Sequence, residues 1–189
     1  MNNAETALFK DKQLGFLIYL GVEAIMFMVL FITYFIYTPA SSGPQPSDIF
    51  NWKTVVLASV FLLSSSGTIF MADRYLKKDN GKATIIWLLI TLLLGLAFLG
   101  VEINEFASYI QAGYTTRTNV FMGAFYVLVG LHAAHVAFGC GWLTIILIHF
   151  KRKIPYTLFL EKQKIFSYYW QFVDLVWIVI LVIVYIPYL

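Results

Sequence analysis

An all-α integral membrane bundle of five transmembrane helices is the fold that this sequence predicts. Of its 189 residues, 60% are hydrophobic and 12% are charged, and the mean hydropathy is +0.79. A soluble domain of this composition would expose more apolar surface than monomers tolerate. The apolar residues form long continuous runs, which favours spanning helices over strands. Lipid is therefore the expected medium around most of this surface.

Five runs are long enough to cross a bilayer, which takes about 20 residues. They comprise residues 14–37, 53–72, 83–110, 120–150 and 165–188. The connection 38–52 is rich in proline, and the connection 73–82 is charged and contains an Asn80-Gly81 turn. No connection has room for a soluble domain, so we expect a single membrane domain over residues 1–189.

The first run resembles a signal peptide because Lys10 and Lys12 precede it. It continues to Tyr37, however, contains Glu23 and offers no small-residue cleavage site. We therefore expect the first helix to be retained.

The basic residues predict the orientation in the membrane. With five spans, one side carries eleven of the thirteen lysines and arginines, and the other side carries Lys53 and Arg117. The positive-inside rule then places the amino terminus in the cytoplasm and the carboxyl terminus outside. The net charge is only +3 and the basic residues lie in short connections, so no nucleic-acid partner is expected. The eleven residues are Lys10, Lys12, Arg74, Lys77, Lys78, Lys82, Lys151, Arg152, Lys153, Lys162 and Lys164.

Small residues crowd the second and fourth runs and let helix backbones approach closely. They include the stretch 64–67 of the second run and many positions of 123–141 in the fourth. We expect these two helices to lie inside the bundle or against a partner.

Six ionisable residues stand out inside the spans, away from their ends or on an apolar helix, where each is costly and is a candidate for function. Measured along their helices, Glu23 and Asp174 lie about 14 Å from the cytoplasmic end, and His132 and His135 lie about 18 to 22 Å from the outer end. These four residues are expected to share one central layer. The other two are Glu102 and Glu105, near the outer end of the third helix.

Two interpretations stay open for the central residues. Glu23 suits a proton relay, because a carboxyl group at that depth can gain or lose a proton, but it also suits a neutral hydrogen bond to a neighbouring helix. The same two interpretations apply to His132 and His135. The simpler one is that both pack among small residues and that each imidazole is hydrogen-bonded to another helix.

Glu102 and Glu105 lie three residues apart on one helix face. We expect them to be interfacial carboxylates bonded to loop groups, since charge is cheap near the interface. They lie about half a membrane from the two histidines, which is too far to share one ion, so no metal site is expected.

Four segments together resemble the third subunit of cytochrome c oxidase and of its quinol-oxidising and nitric-oxide-reductase-associated relatives. They are residues 15–27, 100–106, 130–136 and 169–177, which occur in the family's order and on the corresponding helices. The length resembles that of the short bacterial form, which lacks two leading helices.

This resemblance implies a multi-pass protein of the bacterial inner membrane that binds no haem or copper itself. Those groups are expected in partner subunits: the catalytic subunit I, subunit II and a small subunit IV. Glu23 is then expected near the interface with subunit I. Bound phospholipid is also a family trait, with Trp170, Gln171 and Trp177 as candidate residues. Gln171 stands where the family usually has histidine, and glutamine cannot titrate near neutrality.

The expected function is that of a non-redox subunit III of a haem-copper terminal oxidase in aerobic respiration, which stabilises the catalytic subunit and supports proton uptake. One alternative is the equivalent component of a quinol oxidase or a nitric oxide reductase. A purely structural assembly subunit is another. A small membrane transporter is a rival from a different class, although transporters often have internal repeats or broken helices, which this sequence does not show.

Overall fold

Five long helices account for almost all of the chain. The computed structural model describes residues 3–38, 49–151 and 155–188, and these contain no strand. The helices are α1 (Asn3–Ile36), α2 (Trp52–Lys77), α3 (Gly81–Gln111), α4 (Val120–Lys151) and α5 (Tyr156–Ile180). A π-helical turn (Leu181–Tyr185) and a 3₁₀ turn (Ile186–Tyr188) extend α5.

All five helices are long and apolar enough to cross a membrane. Their spanning segments are Asp11–Ile36, Trp52–Lys77, Gly81–Gln111, Val120–Phe150 and Thr157–Tyr188. The predicted all-α membrane bundle is confirmed in this respect.

Several helices extend beyond the predicted spans. α1 begins at Asn3, α2 continues through the charged residues Asp73 and Arg74, and α5 begins directly after Pro155. Hydropathy marks where hydrocarbon begins, whereas backbone hydrogen bonds continue a helix into the polar interface. Most of the connection 38–52, and also Arg152 and Lys153, lie outside the described residues.

Side-chain caps define where two helices begin. Asn51 accepts a hydrogen bond from the backbone N–H of Lys53 at the start of α2. Asn80 accepts one from Ala83 at the start of α3, and Asp79 before it has a φ of 55°. The predicted Asn80-Gly81 turn therefore joins α2 to α3 in an antiparallel pair.

The helices α2, α3, α4 and α5 form the body of the bundle, and α1 packs against α4 and α5 at its edge. A wide face of α1 is exposed and apolar, including Ile18, Val22, Ile25 and Met28, each about 60% exposed. In a bilayer this face contacts lipid or another protein.

Trp170 of α5 sits at the centre of the body and is fully buried. A Cβ atom placed on Gly95 of α3 or on Gly139 of α4 would lie 2.8 Å from its ring. The indole N–H donates to Ser65 of α2 across 2.8 Å. The Trp170 side chain thus contacts three other helices. Glycine is required at positions 95 and 139, because the ring occupies the space that a larger residue would need there.

Substitution of Gly139 by alanine tests this close packing. We expect Gly139→Ala to lower the free energy of unfolding by about 1 to 3 kcal/mol, because the new methyl group overlaps a rigid indole ring. Gly141→Ala is the matched control on the same helix, since nothing lies within 4 Å of a Cβ atom there. Unfolding by sodium dodecyl sulfate in mixed micelles measures both values, and equal stability of the two variants would contradict the packing argument.

Candidate functional site

The side chains of Glu23 of α1 and His135 of α4 form a polar contact between helices. The His135 Nε2 atom lies 3.4 Å from Glu23 Oε2, and the side chains are 14% and 17% exposed. Both residues lie near the middle of their spanning segments. The pair therefore places a carboxyl group and an imidazole in contact at the centre of the membrane.

The second ring nitrogen determines how protons are arranged in this pair. His135 Nδ1 lies 2.8 Å from the carbonyl oxygen of Leu131, which can only accept a hydrogen bond. Nδ1 must therefore carry a proton. Nε2 can then contact Glu23 either as a bare nitrogen facing a carboxylic acid or as N–H facing a carboxylate. In both arrangements one proton lies between the two side chains.

The pair lies beside a groove on the surface of the bundle. This groove has a volume of about 230 Å³ and is lined by Tyr19, Leu131, Ala134, His135, Phe138 and Tyr169. Phe27 covers His135 from the inner side, with ring centroids 5.2 Å apart. The Tyr169 hydroxyl donates to the backbone carbonyl of His135 and joins α5 to the same point.

His132 lies one turn away from His135 but has a different environment. It is fully buried, stacks on Trp177 with centroids 5.4 Å apart, and meets the edge of Phe98. Neither ring nitrogen has a hydrogen-bond partner among the described residues. The expectation that another helix satisfies each imidazole therefore holds for His135 and is wrong for His132.

Asp174 is held by α2 rather than by the histidines. The Ser66 hydroxyl donates to Asp174, which is 3% exposed. Farther along the same α2–α5 contact, Asp73 accepts hydrogen bonds from Ser167 and Gln163 at 3.0 and 3.3 Å. Of the four central candidates, the structure therefore brings Glu23 and His135 into contact and places Asp174 in a separate polar contact.

The sequence places Asp73 in the charged connection 73–82, so Asp73 is not among the predicted site residues. Two equal spacings in the sequence are the signal for Asp73. Asp73 lies seven residues after Ser66, and Ser167 lies seven residues before Asp174. This spacing of two helical turns puts the two pairs on one helix face.

Glu102 and Glu105 are more deeply enclosed than predicted, at 1% and 5% exposed. Glu105 accepts a hydrogen bond from Tyr109 on its own helix, and Glu102 has no partner within the described chain. The expectation of loop partners at an exposed interface is therefore wrong, because α4 and the end of α5 cover this face of α3.

The three lipid-binding candidates differ in exposure. Trp170 and Trp177 are fully buried and donate to Ser65 and Ser59 of α2. A side chain with no exposed surface cannot contact lipid, which corrects the prediction for both tryptophans. Gln171 is exposed and lines a groove of about 200 Å³ together with Lys77, Lys164 and Asp73.

Across residues 3–38, 49–151 and 155–188, no group of three or more His, Cys, Asp or Glu side chains is arranged to hold a metal ion. The polar contacts between these helices include carboxyl, imidazole and hydroxyl groups, besides the indole N–H groups and the Gln163 amide. Such groups bind and transfer protons and hold helices together.

The fold and these contacts define a multi-pass α-helical membrane protein with a carboxyl–imidazole pair on one outer face. The chain belongs to the family "Cytochrome c oxidase subunit III", whose model matches residues 2–188. The resemblance found in the sequence is thus confirmed, and with it a place as the third subunit of an oxidase complex.

Relatives with two different names are similar to this chain. It is 41% identical to cytochrome c oxidase subunit 3 of Alkalihalophilus pseudofirmus, over 93% of this chain and 86% of the relative. It is also 41% identical to quinol oxidase subunit 3 of Bacillus subtilis strain 168, over 91% of this chain and 85% of the relative. Cytochrome c oxidase subunit 3 of Bacillus sp. strain PS3 is 38% identical, with coverage of 93% and 86%.

A double-mutant cycle tests the contact between Glu23 and His135. Combining Glu23→Gln with His135→Gln should reveal a coupling energy of about 1 kcal/mol, since residues in direct polar contact are not additive. The control cycle combines Glu23→Gln with His132→Gln, where no contact exists and additivity within about 0.5 kcal/mol is expected. Unfolding free energies in detergent provide the data. Equal coupling in both cycles would show that the contact between Glu23 and His135 contributes nothing of its own.

Proposed function

We propose that this chain is the non-redox third subunit of a haem-copper terminal oxidase in aerobic respiration, where it stabilises the catalytic subunit and supports its proton uptake. The Glu23–His135 pair is the observation on which this proposal rests, because it combines a proton-binding group with a position on the outside of the bundle. Family membership supports the assignment to an oxidase.

The exposure of the pair supports a protein partner at this face. A partly exposed carboxyl and imidazole in the middle of the membrane would otherwise meet hydrocarbon, which solvates both poorly. The neighbouring groove and the exposed apolar face of α1 offer a surface for helices of another chain. We assign this surface to the catalytic subunit I. The haem and copper then belong to subunit I and subunit II, and a small subunit IV completes the complex.

A role in proton supply follows from the proton held between Glu23 and His135. A group that exchanges one proton at the edge of a catalytic subunit can buffer the proton demand of oxygen reduction. His132 and Asp174 act in this proposal by fixing the packing of α4 and α5, since each contacts a neighbouring helix away from the pair.

The electron donor has two candidates, because relatives named as cytochrome c oxidase and as quinol oxidase subunits match this chain equally well, at 41% identity. A quinol oxidase component is therefore the second candidate function. The Glu23–His135 pair would have the same role in a cytochrome c oxidase and in a quinol oxidase, since electrons enter through other subunits.

Membrane lipids are proposed as further partners. Lys77, Lys164 and Gln171 line one groove between the end of α2 and residues 160–171 of α5, on the side that we assign to the cytoplasm. Lysines at a membrane surface attract anionic lipid headgroups by about 1 kcal/mol each. The proposed location is the bacterial inner membrane.

The proposed orientation is tested by reporter fusions. We expect the amino terminus to lie in the cytoplasm and the carboxyl terminus to lie outside, because the side with most of the basic residues is retained in the cytoplasm. A reporter that is active only in the cytoplasm should therefore work at the amino terminus, and a reporter that is active only outside should work at the carboxyl terminus. Alkaline phosphatase and green fluorescent protein distinguish the two compartments. Both termini on one side would contradict an odd number of crossings.

The function is tested in the complex purified through a tag on this chain. Haem-containing subunits should copurify, whereas a stand-alone transporter would show no haem absorbance. In that complex, Glu23→Gln should increase the rate of inactivation during turnover several-fold, because the proton shared with His135 is lost. Oxygen consumption over time measures this rate.

Asp11→Asn is the matched control, since it removes a carboxylate from the same helix at an exposed position outside the pair. It should inactivate at the wild-type rate. If Glu23→Gln retained the wild-type turnover, proton-pumping ratio and inactivation rate, the pair would have no functional role.

A further inference from the structure

Four oxygen atoms in the half of the bundle that contains the end of α3, which the proposed orientation places outside, are buried without a hydrogen-bond partner among the described residues. They are both carboxyl oxygens of Glu102, Oε2 of Glu105 and the hydroxyl oxygen of Tyr185. The three side chains are 1%, 5% and 0% exposed. Buried polar atoms are nearly always hydrogen-bonded, so a group of unpaired ones indicates a site that binds something polar.

These atoms belong to one cluster. Glu105 interacts electrostatically with Glu102, and Tyr185 interacts with both carboxyl groups and with Tyr109. Tyr109 donates its hydroxyl hydrogen to Glu105. The four side chains come from α3 and from the π-helical turn that ends the chain's last helix, and we call them the outer carboxyl cluster: Glu102, Glu105, Tyr109 and Tyr185.

The wall of the cluster is aromatic. The Tyr185 ring lies 6.0 Å from Trp177 and 6.2 Å from Phe125, and Phe125 lies 6.1 Å from Tyr109. Phe98, one turn before Glu102, packs against Trp177 at 4.8 Å. Such walls exclude bulk water and strengthen every electrostatic interaction inside.

Among the described residues, no fixed positive charge is paired with either of the two carboxyl groups. Tyr34 of α1, Tyr126 and His132 of α4, and Tyr185 are the titratable side chains that the surrounding elements present near the cluster. Within the described parts of the chain, neither Glu102 nor Glu105 forms a salt bridge with lysine, arginine or histidine. Two unpaired carboxylates in an apolar enclosure would be strongly unfavourable.

A proton is the ligand that fits this arrangement with the fewest further groups. One protonated carboxyl group can donate to the other, and the Tyr109 hydroxyl donates to Glu105. The Tyr185 hydroxyl has no partner among the described residues and can reach the carboxyl groups through a bridging water. A hard cation usually takes six or more oxygen ligands, which exceeds the four unpaired oxygens here.

We propose that the outer carboxyl cluster is a proton-binding site, in which Glu102 and Glu105 share one exchangeable proton and an ordered water molecule. The two acids hold the proton between them. In exchange, the O–H bond of the protonated acid breaks as its proton passes to water, and a proton from water re-forms that bond, so the pair keeps one negative charge. A water molecule there would have about three polar partners, the usual number for a buried water.

The position of the outer carboxyl cluster determines the side of the membrane with which it exchanges its proton. Glu105 and Glu102 lie six and nine residues before Gln111, where α3 ends. These spacings correspond to about 9 and about 14 Å along the helix. Tyr109, 6% exposed, lies between the carboxyl pair and this end. The proton therefore exchanges with the outer aqueous phase, and the site is separate from the Glu23–His135 pair.

Infrared spectroscopy of the purified oxidase complex tests the site directly. The wild-type complex should show the C=O stretching band of a protonated carboxyl group that shifts to lower frequency in D₂O. Glu102→Gln should abolish this band, and Tyr185→Phe, which removes only a hydroxyl group, should shift it. Asp79→Asn is the matched control, because Asp79 is an exposed carboxylate in the α2–α3 connection and its loss should leave the band unchanged.

The proposal is overturned if the band is unchanged in both Glu102→Gln and Glu105→Gln. It is also overturned if the wild-type band appears only after sodium and potassium ions are removed, since the cluster would then be a cation site. Haem content of each purified complex reports correct assembly. If both glutamate variants fail to assemble, Tyr185→Phe decides, and an unshifted band in that variant rejects the site.

Discussion

The insertion of Trp170 between Gly95 and Gly139 fixes the arrangement on which both polar sites depend. Its ring occupies space that any side chain on those glycines would need, and its N–H is anchored on Ser65. With α5 fixed at this point, the preceding residue, Tyr169, bonds to the backbone of His135. The residues that follow carry Trp177 and Tyr185 to their positions on the other side of the body. Trp170 and the two glycines that make room for it thus set the rotation of α5 about its own axis.

The fold was largely predictable because the bilayer imposes a simple rule on the sequence. A helix that crosses hydrocarbon must present apolar residues over its whole length, so runs such as 120–150 are evident from hydropathy alone. The ends were harder to predict. Asp73 and Arg74 interrupt the apolar run but not the helix, because the backbone hydrogen bonds of α2 do not depend on side-chain polarity.

The sequence predicts how deep in the membrane each candidate site residue lies. It does not predict on which side of its helix the residue faces a neighbour. The rise per residue brings Glu23 and His135 to one layer, and they do form a contact. The same depth argument groups Asp174 with them, yet Asp174 points to Ser66 on the opposite side of α5. Rotation depends on packing, and the decisive contacts involve glycines whose partners cannot be identified from sequence. For the same reason the burial of Glu102 and Glu105 could not be foreseen.

The weak attachment of α1 has a consequence for how the protein is made. Its principal neighbours, α4 and α5, lie more than eighty residues later in the chain. During synthesis the first helix to enter the bilayer therefore waits, with its broad apolar face and its carboxyl group unpaired, until those neighbours emerge. The contact between Glu23 and His135 therefore cannot form until α4 has entered the bilayer, so the position of α1 is fixed late in the folding of this chain.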